Sequence, residues 1–437
     1  MSVAVGLSLA VAACGSGGPG GPDEGGVATA IPSPATAAVG SVDPGAAVPA
    51  TTTGAAVVVA EGFGRWSGLR VGLIANRAST VGGRSLLDLV HEAPDVELAA
   101  IFAPEHGLRA EGAAGAEVRG GVDPVTGVVV HSLYGEDRAP TTEALAGLDL
   151  LVFDLQDVGA RFYTYTATMG LAMQAAATAG LPFVVLDRPD PLGGDRPDGP
   201  VRDGANESFV SPYPVPSLHG LTAGELALAI QGEGWLDGLE ELDLEVVPLQ
   251  GWDRGDRWDR TGLPWVPPSP GLATAETALT YPATVLLEAT TVSYGQGTDR
   301  AFAQFGAPWL DAEALAADLA GAGLTGVRFE AVTFLPEAGP ADPEPRFEGR
   351  TVPGVRLEIT DVDAVRPMEI AVHLLHHLLA QAGDREIIER PGFFDLLAGR
   401  SALRRALLAG EDPATVVASW DADLRRWEAL RSRYLLY

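Results

Sequence analysis

Short apolar runs that end in polar residues alternate with helical segments through the first half of the chain. Leu69–Asn76 (LRVGLIAN), Val96–Pro104 (VELAAIFAP), Leu148–Asp157 (LDLLVFDLQD) and Leu181–Arg188 (LPFVVLDR) are such runs. Unbroken apolar runs suit strands buried on both faces, as in a parallel sheet. Between the last two, Thr164–Ala179 is rich in Ala, Met and Leu and is closed by Gly180, which predicts a helix and hence a βαβ unit. A helix over Thr222–Gln231 and a strand over Leu244–Leu249 continue the alternation. The first half therefore reads as an open, doubly wound α/β domain.

The second half has a different rhythm. Thr284–Ser293, Val327–Phe334 and Val355–Thr360 are predicted strands, and Asp311–Ala322 and Pro367–Gln381 predicted helices. A Trp- and Pro-rich connection, Trp252 to Pro270, separates the halves, so the expected domains are residues 56–260 and 261–437. Residues 15–55 are Gly, Pro, Ala, Ser and Thr with few large apolar side chains, the composition of a flexible linker.

The first 14 residues, MSVAVGLSLAVAAC, are apolar and end in small residues before Cys14, the sole cysteine. Val11-Ala12-Ala13-Cys14 looks like a lipobox. The expectation is a lipoprotein signal peptide, lipidation at Cys14 and export to the outer face of the cytoplasmic membrane, or secretion. The cation expected before the apolar run of a signal peptide is missing, as an upstream start would explain. No later stretch has about 18 uninterrupted apolar residues, so no spanning helix is expected.

Composition removes several kinds of chemistry. A formal net charge of −29 disfavours nucleic acid as a partner and leaves the lipid anchor as the expected membrane contact. All 29 cations are Arg, which excludes a Schiff-base or P-loop lysine. One cysteine excludes an internal disulfide and a thiolate-rich metal site. His373 and His377 stand four apart in a predicted helix, without a His-Glu-x-x-His motif or a third ligand, so no metal is expected.

In an open α/β sheet, ligands bind beyond the carboxyl ends of the strands. Asn76 ends the first apolar run, and Glu105, His106 and Arg109 follow the second. Asp154, Gln156, Asp157, Arg161, Tyr163 and Tyr165 follow the third, and Asp187 and Arg188 the fourth. His219 precedes the next helix. Carboxylates, Arg, His and aromatic rings on one rim suit a sugar site: acids and bases for the bond, cations for an anionic substituent, rings for the apolar sugar face. Glycoside hydrolysis usually needs two carboxyl groups. Glu105 is the first candidate for the acid, with pairing to Arg109 the structural alternative. Asp154 and Asp157 are candidates for the second carboxylate, with helix capping or pairing to Arg161 the alternative. Glu225 fits a capping box with Thr222.

The chain resembles the bacterial exo-β-N-acetylmuramidases of peptidoglycan recycling, the NamZ type. The resemblance rests on APEHGLR at 103–109, SLYG at 132–135, FDLQDVGARFYTY at 153–165, VLDRPDPLGG at 185–194, PSLHGLTAGELA at 216–227, GLPWVPPSP at 262–270, FGAPW at 305–309 and the terminal YLLY. It implies a Rossmann-like domain followed by a smaller α+β auxiliary domain, with the active site in a cleft between them. It also implies release of N-acetylmuramic acid from non-reducing ends, no cofactor, and a role for Glu105. On this reading Arg109 or Arg161 would clamp the lactyl carboxylate. Four positions depart from the family pattern. Asp190 and Gly271 stand where Asn is usual, and Tyr294 and Gln296 replace an acid and an Arg. These departures favour the alternative, a non-catalytic muropeptide-binding surface lipoprotein, or a glycosidase of shifted specificity.

Overall fold

The structure is a computed structural model, and it describes residues 51–109, 113, 115–116, 120–135, 137–340 and 342–437. Cys14 and most of the expected linker lie outside the described residues. The linker's expected last residues, Thr51–Ala55, belong to the packed body. Thr52 bridges to Gln250, Thr53 caps the helix Gly54–Ala60, and Ala55 is buried.

The strands, in chain order, are β1 (Arg70–Ala75), β2 (Thr80–Val81), β3 (Arg84–Ser85), β4 (Glu97–Ala103), β5 (Gly121–Val122), β6 (Val129–Ser132), β7 (Leu150–Asp154), β8 (Phe183–Leu186), β9 (Leu244–Val247), β10 (Gln304–Gly306), β11 (Val327–Phe334) and β12 (Val352–Ile359). Seven of them form one sheet in the order β5-β6-β4-β1-β7-β8-β9, parallel except for the β5–β6 edge. From β1 the chain winds outward to β4 and β6, then returns to β7 and winds outward the other way. The switch point is between β1 and β7, so the fold is the doubly wound α/β arrangement that the apolar runs predict.

Both faces of the sheet are covered, which is why the strands read as unbroken apolar runs. Val71, Leu73, Leu150, Val152, Val184 and Leu186 point to one face, where the helices Gly54–Ala60 and Leu86–His91 pack. Ile74, Leu151, Phe153, Phe183 and Val185 point to the other, under the helices Tyr165–Ala179 and Ala223–Gly232. The first of these ends at Gly180, whose φ of 68° is the left-handed cap glycine accepts without strain. The second begins with the complete Thr222–Glu225 capping box.

The second apolar cluster runs without interruption into the chain's second half, where β10, β12 and β11 form a small antiparallel sheet beside the helices Ala312–Gly321 and Pro367–Ala382. Thr284–Ser293 is not a strand. It continues the helix Ala275–Thr284 as a 3₁₀ turn over Val285–Ala289. Its β-branched residues favour a strand locally, but threonine hydroxyls bond back to the backbone. Thr284 Oγ1 donates to Thr280 O (3.1 Å) and Thr290 Oγ1 to Leu287 O (2.8 Å).

Candidate active site

Glu105 follows β4 in a turn with two consecutive left-handed residues, His106 (φ 70°) and Gly107 (φ 76°). Histidine adopts this region more readily than most side chains and glycine does so freely. The turn closes when Gly107 N–H donates to Pro104 O at 2.9 Å. It leaves Glu105 only 7% exposed, with both oxygens engaged. Oε1 accepts from Gly115 N–H at 2.9 Å and Oε2 from the Thr164 hydroxyl at 2.6 Å. The Tyr134 hydroxyl, beyond β6, also bonds Glu105, and burial followed by that carboxylate's charge pushes the phenol's pKa up. Loops after β4, β6 and β7 thus converge on one carboxyl group.

A second carboxyl group acts on it electrostatically. Glu288 lies in the 3₁₀ turn Val285–Ala289, part-buried, within electrostatic range of Glu105, Tyr134, Tyr281 and Tyr294. Burial pushes its pKa up to about 7, with Arg390 opposing and Glu105 adding to the rise. Among the described residues its carboxyl makes no hydrogen bond or ion pair, although Arg390 donates to its backbone oxygen. Sequence reasoning did not select Glu288, because the stretch reads as a buried strand. Only a helical period would have singled out this one acid among apolar neighbours.

The aromatic setting is continuous. Tyr163 and Tyr165 pack at 4.7 Å between ring centroids, Phe162 meets Tyr281 at 5.3 Å, Tyr281 meets Phe302 at 4.8 Å, and Tyr294 stacks on Phe302 at 4.8 Å. Tyr134 also lines a cavity of about 260 Å³ with Ser132, His131 and Thr141. Beside it, Arg138 lies over Phe209, 4.6 Å from the ring centroid. Arg109 is exposed on the loop that carries Glu105.

Most of the other predicted residues are engaged in contacts within the fold. Asp154 is 0% exposed and takes a two-pronged ion pair from Arg188 (2.6 and 2.9 Å). A carboxylate so enclosed cannot reach an anomeric carbon, and Arg188 is its counter-ion, with one flank on a second 260 Å³ cavity that Gln156 also lines. Arg161 is 1% exposed and pairs with neither aspartate. Its guanidinium donates to the carbonyls of Pro200 (2.8 Å), Val215 (2.9 Å) and Leu397 (3.0 Å), which removes it as a clamp for substrate. Asp187 is spent on the Thr222 hydroxyl (2.6 Å), Gly224 N–H (2.8 Å) and the Tyr437 hydroxyl (2.7 Å). Asn76 Nδ2 donates to Tyr165 Oη (2.9 Å) and Pro268 O (3.2 Å), and Gln156 Nε2 to Asp157 O and Pro189 O; both hold loops together. Asp157 and His219 are buried together, 3.6 Å between Oδ2 and Nε2, with Asp190 alongside. His373 and His377 sit on the helix Pro367–Ala382, where His377 faces Asp318, and no cluster able to hold a metal occurs among the described residues.

A doubly wound sheet with Glu105 beyond the carboxyl end of β4, a second carboxyl group within electrostatic range and tyrosines acting on both has the parts that acid–base work on a sugar bond uses. The family description "Exo-beta-N-acetylmuramidase NamZ, N-terminal" matches residues 71–276, and its C-terminal counterpart matches 279–437. The chain belongs to this family. It is 40% identical over 374 residues, 85% of this chain and 87% of the relative, to the peptidoglycan beta-N-acetylmuramidase NamZ of Bacillus subtilis strain 168. Two crystal structures of DUF1343 family proteins from Bacteroides fragilis share the fold. One has a TM-score of 0.82 at 35% identity, covering 90% of this chain and all of that one. The other has 0.72 at 30%, covering 89% and 99%.

Proposed function

We propose that this protein is an exo-acting glycoside hydrolase that releases N-acetylmuramic acid from the non-reducing ends of peptidoglycan fragments. The observation that carries the reading is the whole-body family match together with Glu105, the acid of the PEHG stretch, held by three donors in the tyrosine-walled site. Glu105 works at the anomeric carbon, and the tyrosines offer faces to the sugar ring. Arg109, exposed on the same loop, takes the lactyl carboxylate that distinguishes the muramic sugar. Incubation with muropeptides of defined length tests this. Free N-acetylmuramic acid should be the first product seen by mass spectrometry, and fragments cut internally would refute exo-action.

The same proposal places the enzyme outside the cytoplasmic membrane, anchored through a lipid on Cys14 at the end of its apolar leader. Among the described residues no helix is long and apolar enough to cross a membrane. Radiolabelled palmitate should enter the full-length protein in a bacterial host and not its Cys14→Ala variant. Equal labelling of both would remove the anchor.

A further inference from the structure

We infer that Glu288, on the 3₁₀ turn from the second half of the chain, is the group that hands a proton to the departing glycosidic oxygen, with Glu105 as its carboxylate partner. This rests on the glycosidase reading above and assigns the second carboxyl group that the reading requires. The sequence suggests Asp154 or Asp157 for that group and the proton on Glu105, but Asp154 is locked to Arg188, and Asp157 Oδ2 accepts from Gly159 N–H (2.9 Å) and lies 3.6 Å from His219 Nε2.

The two glutamates are held in opposite ways. Glu105 accepts hydrogen bonds from Gly115, Thr164 and Tyr134, so its oxygens are oriented. Glu288 has no such partner among the described residues, so its carboxyl is free to meet a ligand. The charged and titratable groups acting on it or on its wall are Arg390 from the segment before the helix Pro391–Ala398, Glu105 from the loop after β4, Tyr134 from beyond β6, and Tyr281 and Tyr294 on either side along its own segment. On the part-buried Glu288 one cation, Arg390, acts against one carboxylate, Glu105. Its pKa of about 7 leaves a large protonated fraction at neutral pH, as a general acid needs. Two carboxyl groups whose surroundings differ this much divide the acid and base roles between them.

In the reaction, the bond from the anomeric carbon to the leaving oxygen breaks as the Glu288 proton moves to that oxygen. Glu105 meets the positive charge growing on the carbon. The hydroxyl of a water ends on the carbon, and the water's remaining proton returns to the carboxyl pair, which restores the starting state.

The test compares two leaving groups. A sugar hydroxyl leaves only when protonated, whereas 4-nitrophenolate leaves unaided. Parent and Glu288→Gln are assayed on N-acetylmuramyl-N-acetylglucosamine and on 4-nitrophenyl β-N-acetylmuramide. The variant should lose about 10²-fold or more of kcat/KM on the disaccharide and less than about tenfold on the aryl glycoside. The parent's fall in kcat/KM above about pH 7 on the disaccharide should vanish in the variant. Equal losses on both substrates from a variant with native near-ultraviolet circular dichroism, or no loss on the disaccharide, would overturn the assignment. If the variant does not fold, the parent decides: an alkaline fall on the disaccharide with a flat profile on the aryl glycoside is required, and identical profiles overturn it. A folded parent inactive on both substrates would instead overturn the glycosidase reading itself.

Discussion

At the scale of single residues, side chains of one type and one stretch of sequence have been put to different uses. Glu105 meets hydrogen-bond donors from three loops, whereas Asp154 and Asp187, at the ends of neighbouring strands, are consumed by Arg188 and by the Thr222–Tyr437 contacts. The sequence places all of them on one rim, because strand ends are legible from apolar runs. Which way each carboxyl turns depends on partners far along the chain, and spacing does not reveal that. Asp190 yields a prediction. Burial, followed by the charge of Asp157, raises its pKa well above the ordinary carboxylate value, while Leu192 N–H, Arg257 and Arg254 oppose the rise. One of its oxygens is buried without a partner among the described residues. A folded-state value above the unfolded one means that Asp190's favourable contribution is full below about pH 3.9 and is lost as pH rises through the folded-state value. Asp190→Asn stays neutral throughout. Its Tm should gain on the parent's as pH rises from about 5 to 8. Melting curves that stay parallel over that range would show that Asp190 carries no such penalty.

At the scale of elements, the βαβ alternation was readable because both faces of the sheet are covered and each helix carries its own stop or cap, as at Gly180 and Thr222. The segment Thr284–Ser293 was not, because its threonines satisfy the backbone through their own hydroxyls, and packing overrides their strand preference. That miss concealed Glu288. Arg161 belongs to the same scale. Its guanidinium ties the loop after β7 to the carbonyls of Pro200, Val215 and Leu397, and burial lowers its pKa to about 9, still above neutral pH. Arg161→Ala removes the donor from the Pro200 and Leu397 carbonyls, whereas Val215 O keeps its bond from Arg202 N–H (3.1 Å), at roughly 1–3 kcal/mol for each group unpaired. The variant should unfold in urea at a clearly lower midpoint, about 3 kcal/mol or more less stable. The activity of its folded fraction should show little change in KM for the muramic sugar. A large rise in KM without loss of stability would return Arg161 to the substrate.

At the scale of the whole molecule, the second half of the chain completes the first. The terminal Tyr437 hydroxyl donates to Asp187 and accepts from Leu249 N–H (2.8 Å), and Arg431 Nη1 donates to the carbonyls of Gly194 and Gly220 (2.7 Å to the latter). The turn that carries Glu288 comes from this second half, and Glu105, whose charge acts on it, from the first, so the carboxyl pair exists only when both halves are packed. Tyr294 sits at this wall, where it stacks on Phe302 and its pKa is raised by burial and then by Glu288. A tyrosine there keeps the wall aromatic and leaves both glutamates in place. The most direct measurement is hydrolysis of 4-nitrophenyl β-N-acetylmuramide by residues 51–437 beside the Glu105→Gln variant. The parent should release 4-nitrophenol, and the folded variant should be slower by about 10²–10⁴-fold. Silence from a folded parent, or equal rates from the two proteins, would contradict the account.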